Sequence, residues 1–261
     1  MDHLALASRR SWDQLERYGR QFGARWLGGP TDEENPAFYF CQVGFANDTK
    51  LEFVEPNGTP GSDFIVRFLH RNGPGPHHFT FKVPDIEASM GRAESAGYRI
   101  VNADLSSPDW KEAFLHPKES HGIVIQLAQH GPGPGWEDPP PLPPTEQRGT
   151  ATIDAVTHVV ADLDRAVELF TEVLAMTEAG RGDGPLGPTV ELRSGPWVLK
   201  LVRPVADGPR NWLGDRTGRL LQIETTVAEP SAIAGLIPAG DGWELPPERN
   251  LGTRILVRRA A

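Results

Sequence analysis

Hydrophobic and polar positions along the chain fall into an arrangement that recurs: a short alternating stretch, a run at helical spacing, then further alternating stretches. His3 heads the alternating phrase Asp2-His3-Leu4-Ala5-Leu6-Ala7, and His78 heads His78-Phe79-Thr80-Phe81-Lys82-Val83. Each reads as a strand feeding a helix. After the first, Ser11-Trp12-Asp13-Gln14 has the form of a capping box, and Trp12, Leu15, Tyr18 and Phe22 recur near the helical period until Gly23 supplies a stop. After the second, Asp85 is a natural N-cap, Ile86, Met90 and Ala93 form an apolar stripe, and Gly97 marks the exit. Residues 37–45 and 49–56 read as strands paired around Ala46-Asn47-Asp48, and residues 110–116 and 121–129 as strands paired around Pro117-Lys118-Glu119-Ser120. Lys50-Leu51-Glu52-Phe53-Val54-Glu55-Pro56 follows the first opening phrase at nearly the interval at which Gly122-Ile123-Val124-Ile125-Gln126-Leu127 follows the second. Each half is therefore a βαβββ unit with one weakly marked strand, and the chain carries an internal repeat.

The repeat continues in decayed form. Asp154-Ala155-Val156-Thr157-His158-Val159-Val160 leads through Asp162 into a helix with Leu163, Ala166, Leu169, Phe170, Val173 and Leu174 on its apolar side. A fourth copy opens with Leu220-Leu221-Gln222-Ile223-Glu224-Thr225-Thr226-Val227 and closes with Thr253-Arg254-Ile255-Leu256-Val257. The expected fold class is α+β, four βαβββ modules forming two domains, residues 1–130 and 151–261. A Pro/Gly-rich linker at 131–150 joins them, where prolines remove backbone donors and favour an extended path.

Composition narrows the function classes. With 261 residues, 38% of them hydrophobic and 23% charged, the chain has the make-up of a globular protein. A net charge of -9 argues against a nucleic-acid partner, which demands a concentrated positive face. No stretch reaches the ~18 apolar residues of a membrane helix, and no basic-then-apolar leader opens the chain, so a cytoplasmic protein without a membrane partner is expected. The lone Cys41 lies in an apolar run and reads as a buried, inert thiol.

Strand parity singles out the candidate chemistry. Leu4, Leu6, Leu51, Phe53, Phe79, Phe81, Ile123, Ile125 and Leu127 cover one side of the sheet. His3, Glu52, His78 and Gln126 stand on the other, with Lys50, Val54, Thr80, Lys82 and Val124. If the two modules pair about a pseudo-twofold axis, two polar residues from each converge on one cleft. Aligning the later copies puts His158, Lys200, Gln222 and Leu256 at the corresponding positions, where an ammonium and a hydrocarbon offer no comparable site. The second domain is expected to be metal-free.

These fragments carry a resemblance. Asp2-His3, Lys50-Leu51-Glu52 before Pro56, Gly75-Pro76-His77-His78 with Val83-Pro84-Asp85-Ile86, and His116-Pro117-Lys118 leading to residues 122–127 resemble the vicinal oxygen chelate superfamily, most closely its glyoxalase I and methylmalonyl-CoA epimerase branch. The resemblance covers nearly all of residues 1–130. It implies one divalent metal ion held by His3, Glu52, His78 and Gln126, with Zn, Ni, Co, Mn and Fe all compatible with such N/O donors. It implies isomerase, epimerase or lyase chemistry on a small-molecule substrate with adjacent oxygens or an acidic carbon beside a carbonyl. The epimerase pattern runs His, Gln, His, Glu, so this chain exchanges the carboxylate and the amide. Gln126 has no useful pKa, which leaves Glu52 as the candidate acid/base, with Tyr39, His77 or His121 as alternatives. His77 is expected to face the opposite way and to pack, and His70, His116 and His121 to lie at the surface. His3, Glu52 and His78 also match the two-histidine, one-carboxylate set of extradiol dioxygenases, the second reading, and a metal-free drug-binding protein is the third. Assembly as a homodimer is left open.

Overall fold

The computed structural model describes residues 1–29, 38–131 and 150–260, so the expected linker lies almost wholly outside the described residues. Strands β1 (His3–Ala7), β2 (Arg25–Gly28), β3 (Phe38–Gly44), β4 (Lys50–Pro56), β5 (Gly75–Lys82), β6 (Ile100–Asp104), β7 (Trp110–Leu115) and β8 (Val124–His130) form an eight-stranded sheet in the order β2-β3-β4-β1-β5-β8-β7-β6. Helices α1 (Ser11–Glu16), α2 (Asp63–Asn72) and α3 (Ile86–Ser95) interrupt these strands. The second sheet comprises β9 (Thr152–Val160), β10 (Thr177–Gly184), β11 (Gly187–Ser194), β12 (Trp197–Val202), β13 (Gly218–Val227), β14 (Ile237–Ala239), β15 (Gly242–Leu245) and β16 (Ile255–Arg259). Its order, β10-β11-β12-β9-β13-β16-β15-β14, is that of the first sheet shifted by eight strands, and α4 (Leu163–Glu168) and α5 (Asp207–Leu213) accompany it. The weakly marked strands are β2 and β6. In the fourth module the helix has shrunk to a 3-10 turn, Pro230–Ala232, where Pro230 and Gly235 leave too short a run to propagate a helix. No described helix is long and apolar enough to cross a membrane.

Local chemistry explains the helix ends. Asp85 caps α3 by accepting from the Ala88 N–H at 2.9 Å, and Gly97 leaves with φ 85°, a conformation that favours glycine. The capping box expected at Ser11 does not form. Ser11 sends its N–H (2.9 Å) and hydroxyl (2.6 Å) to Glu55 on β4, while Gln14 accepts from Ser8 at 3.0 Å. Beyond α1 the chain widens into a π-turn over Arg17–Gln21, with the Phe22 N–H donating to the Arg17 carbonyl at 3.1 Å. The third module repeats this over Leu169–Val173, where the Leu174 N–H donates to Leu169 at 3.1 Å. The extra residue per turn buries Tyr18 and Phe22 in one copy and Phe170 and Val173 in the other, while Trp12 of the expected stripe stays 59% exposed.

The described chain divides into two compact units, one gathering the greater part of the first module with that of the fourth, the other the second with the third. In the first unit Tyr18 stacks on Phe53 at 5.2 Å and accepts from Asn250 Nδ2 at 3.0 Å, and Arg17 donates to the Ala234 carbonyl at 3.0 Å. In the second, Phe79 and Phe81 pack on Phe170 at 6.2 and 6.3 Å, and Arg165 lies 5.3 Å from the Tyr98 ring centre. Each such fully buried Leu or Phe contributes roughly 1.5–3 kcal/mol.

His158 sits in the middle of this second unit. Its Nε2 lies 2.7 Å from the His121 carbonyl, which can only accept, so Nε2 carries the proton and Nδ1 is left buried without a partner. A methyl group added at Gly218 would overlap the same His121 carbonyl, and one at Gly122 would overlap Gly218, so both positions admit glycine alone. His121 is thus buried with φ 55°, against the expectation of a surface residue.

Burial pushes His158 from 6.5 down to about 4. Between those values the unfolded chain binds the extra proton and the folded chain does not. Stability is therefore full above pH 6.5 and falls as pH drops toward 4, by roughly 3 kcal/mol for one such group. His158→Gln retains a donor at the Nε2 position and cannot titrate. Denaturant melts between pH 7 and 4 should show a shallower loss of stability for this variant than for the wild type, and parallel curves would contradict the account.

Candidate metal centre

Strand register decides which side chains meet. β1 runs parallel to β4 with Leu4 opposite Leu51, Ala5 opposite Glu52 and Leu6 opposite Phe53. Leu4, Leu6, Leu51 and Phe53 are completely buried, so alternation sends His3, Ala5, Glu52 and Val54 to the other face. In the same way β5 and β8 pair Phe79 with Ile125 and Phe81 with Leu127 in the core, and Thr80 with Gln126 on the opposite face, which His78 shares.

His3, Glu52 and His78 each offer a ligand atom, and these atoms lie within 4.8 Å of one another, with the residues only 3%, 9% and 6% exposed. His3 Nε2 stands 3.5 Å from Glu52 Oε2. That is too long for a good hydrogen bond, and close to the separation of about 3–3.5 Å between neighbouring donors around an ion with bonds of about 2.0–2.2 Å. The other carboxylate oxygen accepts from Gln42 Nε2 at 3.1 Å, an outer partner that fixes its plane. Two imidazoles and a carboxylate withdrawn from water suit a divalent transition ion.

Gln126 is buried on the same face with both ends of its amide engaged. Oε1 accepts from Thr80 Oγ1 at 2.6 Å, and Nε2 donates to Glu112 Oε2 at 2.8 Å. Glu112 also accepts from Trp110 Nε1 at 3.1 Å. The sequence reading passed over Glu112, although the parity of β7 locates it: Phe114 stands opposite Gln126, and Glu112 is two residues away on that face.

Helix α2 was also missed. Its Ile65, Phe68 and Leu69 pack on Ala7, Phe40 and Val54, one pleat along from Glu52, so α2 covers the apolar end of the face. The signal was present in Asp63-Phe64-Ile65-Val66-Arg67-Phe68-Leu69, but a run so rich in β-formers reads equally as strand. His77 packs edge-on against Phe68 at 4.7 Å and tilted on Phe64 at 5.8 Å. Burial drives it down to about 4 against the opposing pull of the Glu52 charge, so it is neutral at pH 7. Of the alternative bases, Tyr39 pairs with Glu55 and alternates away from the face of Phe40 and Gln42, and His121 lies beside His158 in the other core.

The later copies need one correction. Lys200 pairs with Thr157 as Glu52 pairs with Ala5, so the counterpart of His3, two residues earlier, is Ala155 and not His158. Matching histidine to histidine hid this three-residue offset, which the aspartates Asp2 and Asp154 at the heads of the two phrases do not share. Glu224 opposite Leu256 matches Thr80 opposite Gln126, which keeps Gln222 at the place of His78. Gln222 accepts from Arg254 at 3.3 Å, and Arg254 pairs with Glu244 at 2.7 Å.

The family model described as Glyoxalase/Bleomycin resistance protein/Dioxygenase superfamily matches residues 2–114. Ethylmalonyl-CoA/methylmalonyl-CoA epimerase of Cereibacter sphaeroides is 31% identical over 133 residues, which are 49% of this chain and 96% of that protein. The mitochondrial methylmalonyl-CoA epimerase of Bos taurus is 27% identical over 138 residues, 49% of this chain and 73% of its own length. A solved triple mutant of 4-hydroxymandelate synthase from Streptomyces coelicolor superposes on 100% of this chain and 93% of itself, with a TM-score of 0.66 and 13% identity, a likeness of fold alone.

Elemental analysis of the purified protein should give about one metal equivalent per chain, lost in His3→Ala and His78→Ala and retained in His158→Ala. Full occupancy in the His78→Ala protein would contradict this donor set.

Proposed function

The chain belongs to the glyoxalase/bleomycin resistance protein/dioxygenase superfamily, and on that premise we propose that its first 130 residues form a metal-dependent isomerase, epimerase or lyase for a small molecule. His3, Glu52 and His78 hold one divalent ion, with Gln126 as the fourth donor. The observation that carries this is the buried triangle of two imidazoles and a carboxylate within 4.8 Å. When bound, the ion supplies Lewis-acid stabilisation of negative charge developing on a substrate oxygen.

The remaining work falls to side chains. Glu52 is the proton acceptor, since an amide at position 126 cannot exchange protons near neutral pH. Gln42 holds one oxygen of Glu52, which orients the carboxylate toward the cleft. His77, neutral between Phe64 and Phe68, seals the apolar side beside Glu52 without adding charge. The names of the relatives make an acyl thioester with an acidic carbon between two carbonyl groups the substrate class to test first. The exchange of carboxylate and amide relative to the epimerase pattern means that the proton is handled at the second donor position.

A second reading rests on the same triangle, because two imidazoles and one carboxylate also suit a non-haem iron oxygenase. Glu52→Gln should keep the fold and lower kcat far more than it raises KM. Substrate-dependent deuterium incorporation from solvent without oxygen consumption is the expected result. Stoichiometric oxygen uptake would replace this reading with the dioxygenase, and tight ligand binding with neither exchange nor turnover would replace it with a binding protein.

A further inference from the structure

We propose that Glu112 is a positioning residue for the metal centre: its carboxylate orients the Gln126 amide so that Oε1, and not Nε2, is presented on the ligand face. This rests on the reading of His3, Glu52, His78 and Gln126 as one donor set. An amide is ambiguous in a way that a carboxylate is not. Rotated by half a turn about its last bond it offers N–H in place of oxygen, and an N–H cannot ligate a cation.

Three contacts remove the ambiguity. Glu112 Oε2 lies 2.8 Å from one end of the amide, and an ionised carboxylate only accepts, so that end is the nitrogen. Trp110 Nε1, which only donates, holds the same carboxylate oxygen at 3.1 Å and so pins it in place. On the far side Thr80 Oγ1 donates to Gln126 Oε1 at 2.6 Å, across the register that sets Thr80 opposite Gln126. A carbonyl oxygen has two lone pairs, and Thr80 uses one, so the other is available to a ligand. Because Gln126 is only 8% exposed, removing Glu112 leaves Nε2 without its acceptor out of water, and rotation of the amide relieves that cost. A carboxylate at position 126 would need no such partner, since either of its oxygens can ligate. The device belongs to the exchange of residue types that sets this chain apart.

The test is a Co2+ titration of the full-length protein against a competing chromophoric chelator, with the visible absorption of the bound ion recorded. Wild type, Glu112→Ala, Glu112→Gln, Gln126→Ala and the Glu112→Ala/Gln126→Ala double variant are compared. Glu112→Ala should lose about 10–100-fold in affinity and move the absorption toward that of Gln126→Ala. The double variant should lose no more than Gln126→Ala alone. Glu112→Gln, whose own Oε1 still accepts from Gln126 Nε2, should return affinity and absorption close to wild type, which separates orientation from loss of charge. If Glu112→Ala melts below the assay temperature, Glu112→Met gives the same comparison at nearly constant volume. Wild-type affinity and absorption in the variant lacking the acceptor, or additive losses in the double variant, would overturn the inference and leave the metal centre standing. A wild type that takes up no Co2+ would overturn both.

Discussion

Two imidazoles and a carboxylate gathered within 4.8 Å and held out of water are costly to bury, and the parallel pairing of β1 with β4 is what the arrangement depends on. With Ala5 opposite Glu52, the apolar partners Leu4, Leu51, Leu6 and Phe53 go to a dry core. A slip of one residue would exchange the two faces and put Glu52 among those leucines. The hydrophobic core therefore specifies the polar site: the same alternation that buries four large side chains leaves His3 and Glu52 with one direction in which to point. Surrounding contacts refine that placement. Gln42 holds the carboxylate, Thr80 and Glu112 hold the amide, and α2 covers the apolar end.

The second sheet shows what the scaffold does when that chemistry is removed. It keeps the strand order, the π-turn after the first helix, and an inserted helix whose Leu213 packs on Val159, Val202 and Leu221. The ligand positions carry Ala155, Lys200, Gln222 and Leu256, with Arg254 bonded to both Gln222 and Glu244. An ammonium at the place of Glu52 repels a cation, and an aliphatic side chain at the place of Gln126 offers it no lone pair. Scaffold and site are thus separable, and the fold places polar groups without requiring that they bind a metal.

Much of this was legible in the chain because alternation is a strong signal where one face is dry. The strands bearing His3, Glu52, His78 and Gln126 could be oriented from Leu4, Phe53, Phe79 and Ile125 alone. What escaped depended on distant partners. Ser11 abandoned its cap for Glu55, a choice set by the return of β4 and invisible in local pattern. His158 resembled His3 as the histidine of its opening phrase, yet its register with β12 sends it to the His121 carbonyl. Glu112 stands out by no local feature, and it is the pairing of β7 with β8 that brings it to Gln126. Nor does any local period reveal that the first module packs with the fourth and the second with the third, since the meeting of Tyr18 with Asn250 and of Phe79 with Phe170 is a long-range outcome.

X-ray absorption spectroscopy of the metal-loaded protein tests the central claim most directly, because it counts the imidazoles around the ion without reference to turnover. The account predicts two imidazoles, with the rest of the shell oxygen and no sulfur. A shell without histidine, with a single imidazole, or with sulfur would contradict it.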